Sequence, residues 1–340
     1  MTAVVAGSNR WLCDQCGGAP CPDALRCGVL SGYGRNRARH RQWTLREAGR
    51  GLDASAQVTE LSADDHACLT FGEAEELFDL TAAFVRDGLA AGLKVVWVSD
   101  AAPAQAIAEL GRRGIAVRPA MEAGQMAAAG CEGRLLSGQE FSADAAVGWL
   151  SGELASSREQ GFPGLRVAVD MSWALRPVTG IEELPRFEEG IAAALSGSTA
   201  SVLCQYDRDR FDPVTLASVA GFHTRSVAAA TYHADALLRI CRQYAPPGIR
   251  LAGELDYQAA DPLALALAEA VRLDGDITVN MTALAFIDAR CTLMVADAAR
   301  TAASAERPVT LHCPPEIGKG FVRLGLDGLP GIRLVTANAR

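Results

Sequence analysis

Short apolar runs alternate with amphipathic stretches along most of this 340-residue chain, and that alternation limits the folds open to it. "HACLTF" (66–71) and "KVVWVSD" (94–100) read as buried strands. Between them "EAEELFDLTAAFVRDGLAAG" carries Leu77, Leu80, Phe84 and Leu89 at helical spacing. Strand, helix, strand at this length is a βαβ unit, whose crossover makes the two strands parallel. The alternation continues. "PAQAIAELGRRG" and "SADAAVGWLSGELASSREQG" predict helices and "LRVAVDMSW" a strand. "IEELPRFEEGIAAALSG" predicts a helix that its proline breaks or bends, and "ASVLCQYD" another strand. The fold class is α/β, with a mostly parallel sheet.

A second α/β unit follows. "LLRICRQY" and "IRLAGELD" flank the turn "APPG" as a hairpin, and "PLALALAEAVRL" is helical. "ITVNM", "VTLHC" and "IRLV" are strands, separated by the helices "CTLMVADAARTAA" and "PEIGKGFVRLGL". The expected organisation is an extension over residues 1–60, a first domain over 61–230 and a smaller one over 235–340.

Composition excludes several classes of function. With 49% apolar residues the chain can bury more than one core. No apolar run approaches the roughly 20 residues a membrane-spanning helix needs, and "MTAVVAGSNRW" lacks the apolar segment of a signal peptide. A cytoplasmic protein without a membrane partner is expected. The formal charge of −8 argues against nucleic acid, whose affinity comes from cationic groups. Of the ten cysteines, Cys68, Cys204, Cys241 and Cys291 lie in apolar runs and are expected as buried thiols. Cys13, Cys16, Cys21 and Cys27 crowd ahead of an arginine-rich run. They could surround zinc, although the second pair is poorly spaced; a disordered or non-native extension is the alternative.

The second unit resembles a STAS domain, the fold of bacterial anti-sigma factor antagonists, through "LAGELD" (251–256), "ITVNMTALAFIDARC" (277–291) and "GFVRLGLDGL" (320–329). In the antagonist branch a serine or threonine after the aspartate of the corresponding turn is phosphorylated by a kinase-like anti-sigma factor, and the added charge breaks the complex. Here that turn is Asp288, Ala289 and Arg290, so the resemblance implies partner binding without that switch. The implied partner is an anti-sigma factor or related regulatory protein. Thr282, expected at a strand end, and Thr292, in the first turn of the next helix, are the nearest hydroxyls.

The first unit resembles the methanogen and methylotroph sensory domain, MEDS. The resemblance rests on "HACLTF", "GFPGLRVAVDMSWAL" (161–175), "RFEEGI" (186–191) and "VLCQYDRDRFDP" (202–213) followed by His223. It implies recognition of a small organic ligand. The same half reads as a RecA-like core, which raises a nucleotide-binding or nucleotide-hydrolysing enzyme as the rival; a degenerate scaffold is a third reading. Yet "FGEAEEL" stands where a phosphate loop needs glycines and a lysine, and Glu73, Glu75 and Glu76 would repel a triphosphate. No ATP, other cofactor or catalytic constellation is expected.

A ligand crevice belongs at the carboxyl ends of parallel strands. Asp170, Trp173, Cys204 and Tyr206 are expected around that mouth, with His66 beginning a neighbouring strand and Glu188 and His223 supplying polar contacts. A metal held by His66 and Cys204 is not expected, because two ligands do not make a site. The residues before Val58 offer little apolar area against an ordering cost of about 1 to 2 kcal/mol per residue. Deleting residues 1–57 is therefore expected to leave the thermal midpoint unchanged in calorimetry; a large drop, or loss of stoichiometric zinc, would reveal a folded metal module.

Overall fold

A computed structural model of the chain describes residues 56–336. The cysteine cluster at Cys13, Cys16, Cys21 and Cys27 and the arginine run after it lie outside the described residues. Residues before Leu61 already belong to the first domain: Ala56 bridges Val227, and Val58 is fully buried. Deleting residues 1–57 would remove this one bridge and leave Val58 in place.

The first sheet contains β1 (His66–Phe71), β2 (Lys94–Ser99) and β3 (Met126–Gly130). A small hairpin of β4 (Leu136–Ser137) and β5 (Glu140–Phe141) follows, then β6 (Leu165–Asp170), β7 (Ala200–Asp207) and β8 (Arg225–Val227) complete the sheet. Its order is β3-β2-β6-β7-β1-β8 with every pairing parallel, in keeping with the mostly parallel sheet that the alternation predicts. The connecting helices are α1 (Ala74–Ala90), α2 (Pro103–Arg112), α3 (Val117–Glu122), α4 (Ala143–Glu159), α5 (Leu184–Leu195) and α6 (Pro213–Ala220).

Local chemistry sets several boundaries. The Ser142 side chain accepts the Ala145 amide at the start of α4. Pro185 neither breaks nor bends α5: it stands in the first turn, where its missing N–H would have had no partner. Leu184, Phe187, Ile191 and Leu195 give α5 an apolar face buried against the sheet. On the opposite side, Leu77, Leu80 and Phe84 of α1 do the same.

The second sheet runs β14-β13-β12-β11-β10-β9. Its members are β9 (Thr231–Ala234), β10 (Leu238–Tyr244), β11 (Pro247–Leu255), β12 (Ile277–Ile287), β13 (Val309–Cys313) and β14 (Ile332–Thr336). β10 and β11 form the expected antiparallel hairpin, while β11 through β14 pair in parallel. Helices α7 (Ala260–Leu273), α8 (Ala289–Ser304) and α9 (Pro315–Arg323) complete the unit. β12 continues to Ile287, so Thr282 lies within the strand instead of at its end. Among the described residues no helix is long and apolar enough to cross a membrane.

The two units are joined along the N-terminal half of α1. Cys241, Tyr244 and Ala245 of the second unit enter the same apolar cluster as Leu80 and Phe84 of the first. Polar contacts flank this shared core. Glu76 receives both guanidinium nitrogens of Arg239, at 2.9 and 2.5 Å. Glu73 pairs with Arg250. Asp79 accepts the backbone N–H of Tyr244 at 2.9 Å and of Ala245 at 2.6 Å.

Burial pushes the Asp79 carboxyl from 3.8 up to about 7, against the opposing pull of those two amides. Between these values the folded chain holds a proton that the unfolded chain has released. The stability associated with this proton is fully present below the unfolded pKa and is lost as pH rises through the folded one. Asp79→Asn cannot titrate there. The stability of the wild type relative to Asp79→Asn is expected to fall as pH rises from about 4 to about 8 in urea denaturation series; a difference that stays flat would contradict a protonated, buried carboxyl at the junction.

Candidate functional site

The parity of strand side chains assembles the site. Residues two apart on a strand share a face, so Cys204 and Tyr206 project from one side of β7. β1 runs parallel beside it, with His66 opposite Val202 and Cys68 opposite Cys204. His66 therefore points to the same side of the sheet as Cys204. That side is covered by α5, and Glu188 falls within the helix's apolar stripe beside Phe187 and Ile191. All four of His66, Glu188, Cys204 and Tyr206 have no exposed surface.

His223 arrives from the loop after α6. Thr224 donates its amide to the His66 carbonyl at 2.7 Å, and its hydroxyl oxygen accepts the His66 amide at 3.1 Å. This tie brings the two imidazoles together, with ring centroids 4.1 Å apart. His223 Nδ1 lies 2.8 Å from the Val219 carbonyl, which only accepts, so this nitrogen carries the proton.

The side chains converge on Glu188. Its Oε2 lies 3.1 Å from His66 Nε2, 3.5 Å from His223 Nε2 and 3.7 Å from Cys204 Sγ. Cys204 Sγ is 3.5 Å from His66 Nε2, and the Tyr206 hydroxyl donates to Glu188 Oε1. Burial alone would raise the Glu188 carboxyl, but the hydrogen bond from His66, the charges of the histidines and the Tyr206 hydroxyl hold it below the usual carboxylate range. Burial, opposed by the Glu188 charge, lowers His223 to about 4. Burial, reinforced by Glu188, raises the Cys204 thiol and the Tyr206 phenol well above their ordinary values. The same causes push Cys68 up to about 12. His66 Nδ1 and His223 Nε2 are buried without a hydrogen-bond partner.

The structure thus brings His66, Glu188, Cys204, Tyr206 and His223 together, but beneath the sheet instead of around an open mouth. It does not bring Asp170 or Trp173 to them. Asp170 ends β6 and caps the following turn by accepting the Ser172 amide at 3.0 Å, while its other oxygen accepts the Asp100 amide at 3.2 Å. Trp173 is buried against Phe141, with centroids 4.6 Å apart. An open groove of about 650 Å³ lies elsewhere, lined by Arg86, Arg113, Ile115 and Pro119 of the first unit and by Ala245 and Pro247 of the second. Sequence reasoning missed these residues. The arginines carry no motif, and the groove exists only because the β10–β11 turn packs beside α1.

At the other end of the second unit, the Asp288 side chain accepts the Cys291 amide at 2.7 Å and caps α8. Ala289 and Arg290 are exposed. Thr292 donates its hydroxyl to the Asp288 carbonyl at 2.7 Å and is half-buried.

Residues 65–224 match the family described as MEDS, the methanogen/methylotroph, DcmR sensory domain, and residues 239–336 match the family described as "Mlab, STAS domain". The two matches stand in the order that the sequence predicts, a MEDS domain at residues 65–224 and then a STAS domain at residues 239–336. No curated protein is matched at the level of sequence. Among solved structures, a KaiC-like protein from Pyrococcus horikoshii OT3 is similar at 11% identity, over 53% of this chain and 78% of that one, with a TM-score of 0.40. The flagellar accessory protein FlaH from Methanocaldococcus jannaschii is similar at 9% identity, over 55% and 82%, with a TM-score of 0.38. An uncharacterised protein from Pyrococcus horikoshii in complex with an unknown peptide reaches 16% identity, over 54% and 84%, with a TM-score of 0.42.

Proposed function

We propose that this chain is a non-enzymatic signalling regulator in which the MEDS domain senses a small organic molecule and the STAS domain binds an anti-sigma factor or a related regulatory protein. The observation that carries this reading is the junction on α1. Glu73 and Glu76, in the first turns of the sensor's first helix, are ion-paired to Arg250 on β11 and Arg239 on β10. β11 then runs to Leu255, whose carbonyl accepts the amide of Asp288 at 3.0 Å. One strand therefore spans from the sensor contact to the turn that faces partners. The same carboxylates argue against the rival enzyme, because a triphosphate at the N-terminus of α1 would meet acidic groups already bound to arginine.

The partner-facing residues in this reading are Asp288, Ala289 and Arg290, flanked by Phe286 and Leu293, which are 50% and 46% exposed. Alanine at 289 offers no hydroxyl to a kinase, so control passes through the sensor domain. The test incubates the full chain and its Ala289→Ser variant with anti-sigma kinases and ATP, then maps phosphate by mass spectrometry. The wild type is expected to bind the partner and remain unmodified, and the serine variant to be phosphorylated. Phosphate on wild-type Thr282 or Thr292 with release of the partner would overturn the reading, as would failure of the wild type to bind any of them.

A further inference from the structure

We propose that His66, Glu188, Cys204 and His223 form a buried structural binding site for a divalent transition metal of the zinc class. The inference stands whether or not the domain is a sensor. The potential ligand atoms of these four residues all lie within 4.8 Å of one another. Zinc bonds of about 2.0 to 2.3 Å in a tetrahedron place neighbouring ligand atoms about 3.3 to 3.7 Å apart. The distances of 3.1, 3.5 and 3.7 Å from Glu188 Oε2, and of 3.5 Å between Cys204 Sγ and His66 Nε2, fall at or near that range.

The orientation of His223 supplies an independent argument. Its Nδ1–H is committed to the Val219 carbonyl, so the Nε2 lone pair faces the cluster, where that nitrogen has no hydrogen-bond partner although its side chain is only 1% exposed. Opposite it, at 3.5 Å, stands a carboxylate oxygen. Two acceptors facing each other in a dry interior repel, and a cation between them turns both into ligands. Two of the ligands have the outer contacts of a metal site: the Val219 carbonyl fixes the His223 tautomer, and the Tyr206 hydroxyl holds Glu188 Oε1, leaving Oε2 to the ion, while His66 Nδ1 has no partner.

Charge and donor type select the metal. A divalent ion bound by one carboxylate and one thiolate, with two neutral imidazoles, gives a site of zero net charge, as a fully buried position requires. Nitrogen and sulfur donors favour zinc over calcium or magnesium, which take oxygen ligands. Four protein ligands leave no open position, so the ion is structural, and burial means that it enters as the domain folds.

The experiment uses the full chain with Cys13, Cys16, Cys21 and Cys27 changed to serine, so that the N-terminal thiols contribute nothing. It is refolded with zinc and desalted. Elemental analysis is expected to find one zinc per chain, and X-ray absorption at the zinc edge one sulfur and three nitrogen or oxygen neighbours. Glu188→Gln, close in shape, is expected to lower zinc affinity at least tenfold; Cys204→Ala is expected to remove the sulfur signal. Circular dichroism reports whether each variant folds, and if one does not, the sulfur count of the parent chain decides. A folded parent chain that retains no zinc, or zinc with no sulfur or with two or more, would overturn the proposal.

Discussion

Glu76 carries the charge on which the arrangement of the two domains depends. It opens the first helix of the sensor, is 3% exposed, and accepts the Gly72 amide together with guanidinium groups of Arg208 and Arg239. A carboxylate this deeply buried is costly unless it is paired and hydrogen-bonded, and breaking such a pair leaves a charge stranded at a cost of about 3 to 5 kcal/mol. Arg239 comes from the other domain, so the sensor is fully compensated only when the STAS sheet is docked. The burial of Asp79 under the β10–β11 turn adds a second dependency in the same direction.

This contact also occupies a helix terminus of the kind that α/β folds use to bind phosphate. In a nucleotide-binding protein the N-terminus of the first helix presents its amides to phosphate. Here the corresponding helix begins with Glu73, and Glu76 takes up the Gly72 amide. The positive end of the helix dipole is met by the protein's own carboxylates, and their charge is met by arginines of the neighbouring domain. The helix terminus is a contact between the two domains.

Much of this was legible in the sequence, and the reasons for the rest are physical. β1 and β7 coincide with "HACLTF" and "ASVLCQYD", largely apolar runs that mark buried strands, and β13 with "VTLHC", whose alternation marks a strand with one face buried. β3 carries no strand signal, since "MAAAG" has no β-branched residue, and the three-residue β8 is too short to show a period. Residues of the candidate site were identifiable by type, and Glu188 stands out as an acid on an apolar helical stripe. Their grouping was not, because it depends on strand register. His66 and Cys204 meet only because His66 pairs opposite Val202, on the face shared with Cys204. Asp170 and Trp173, assigned to the same mouth, serve a cap and a core. The groove beside Ala245 and the contacts of Glu76 arise between domains, where no local pattern reports them.

If the Glu76–Arg239 pair couples the two domains energetically, a double-mutant cycle measures it directly. Glu76→Gln, Arg239→Met and the double variant of the full chain would be compared by denaturant unfolding. An interaction energy of at least about 1 kcal/mol is expected, with the double variant more stable than the sum of the single losses implies. Additivity to within about 0.5 kcal/mol would contradict it.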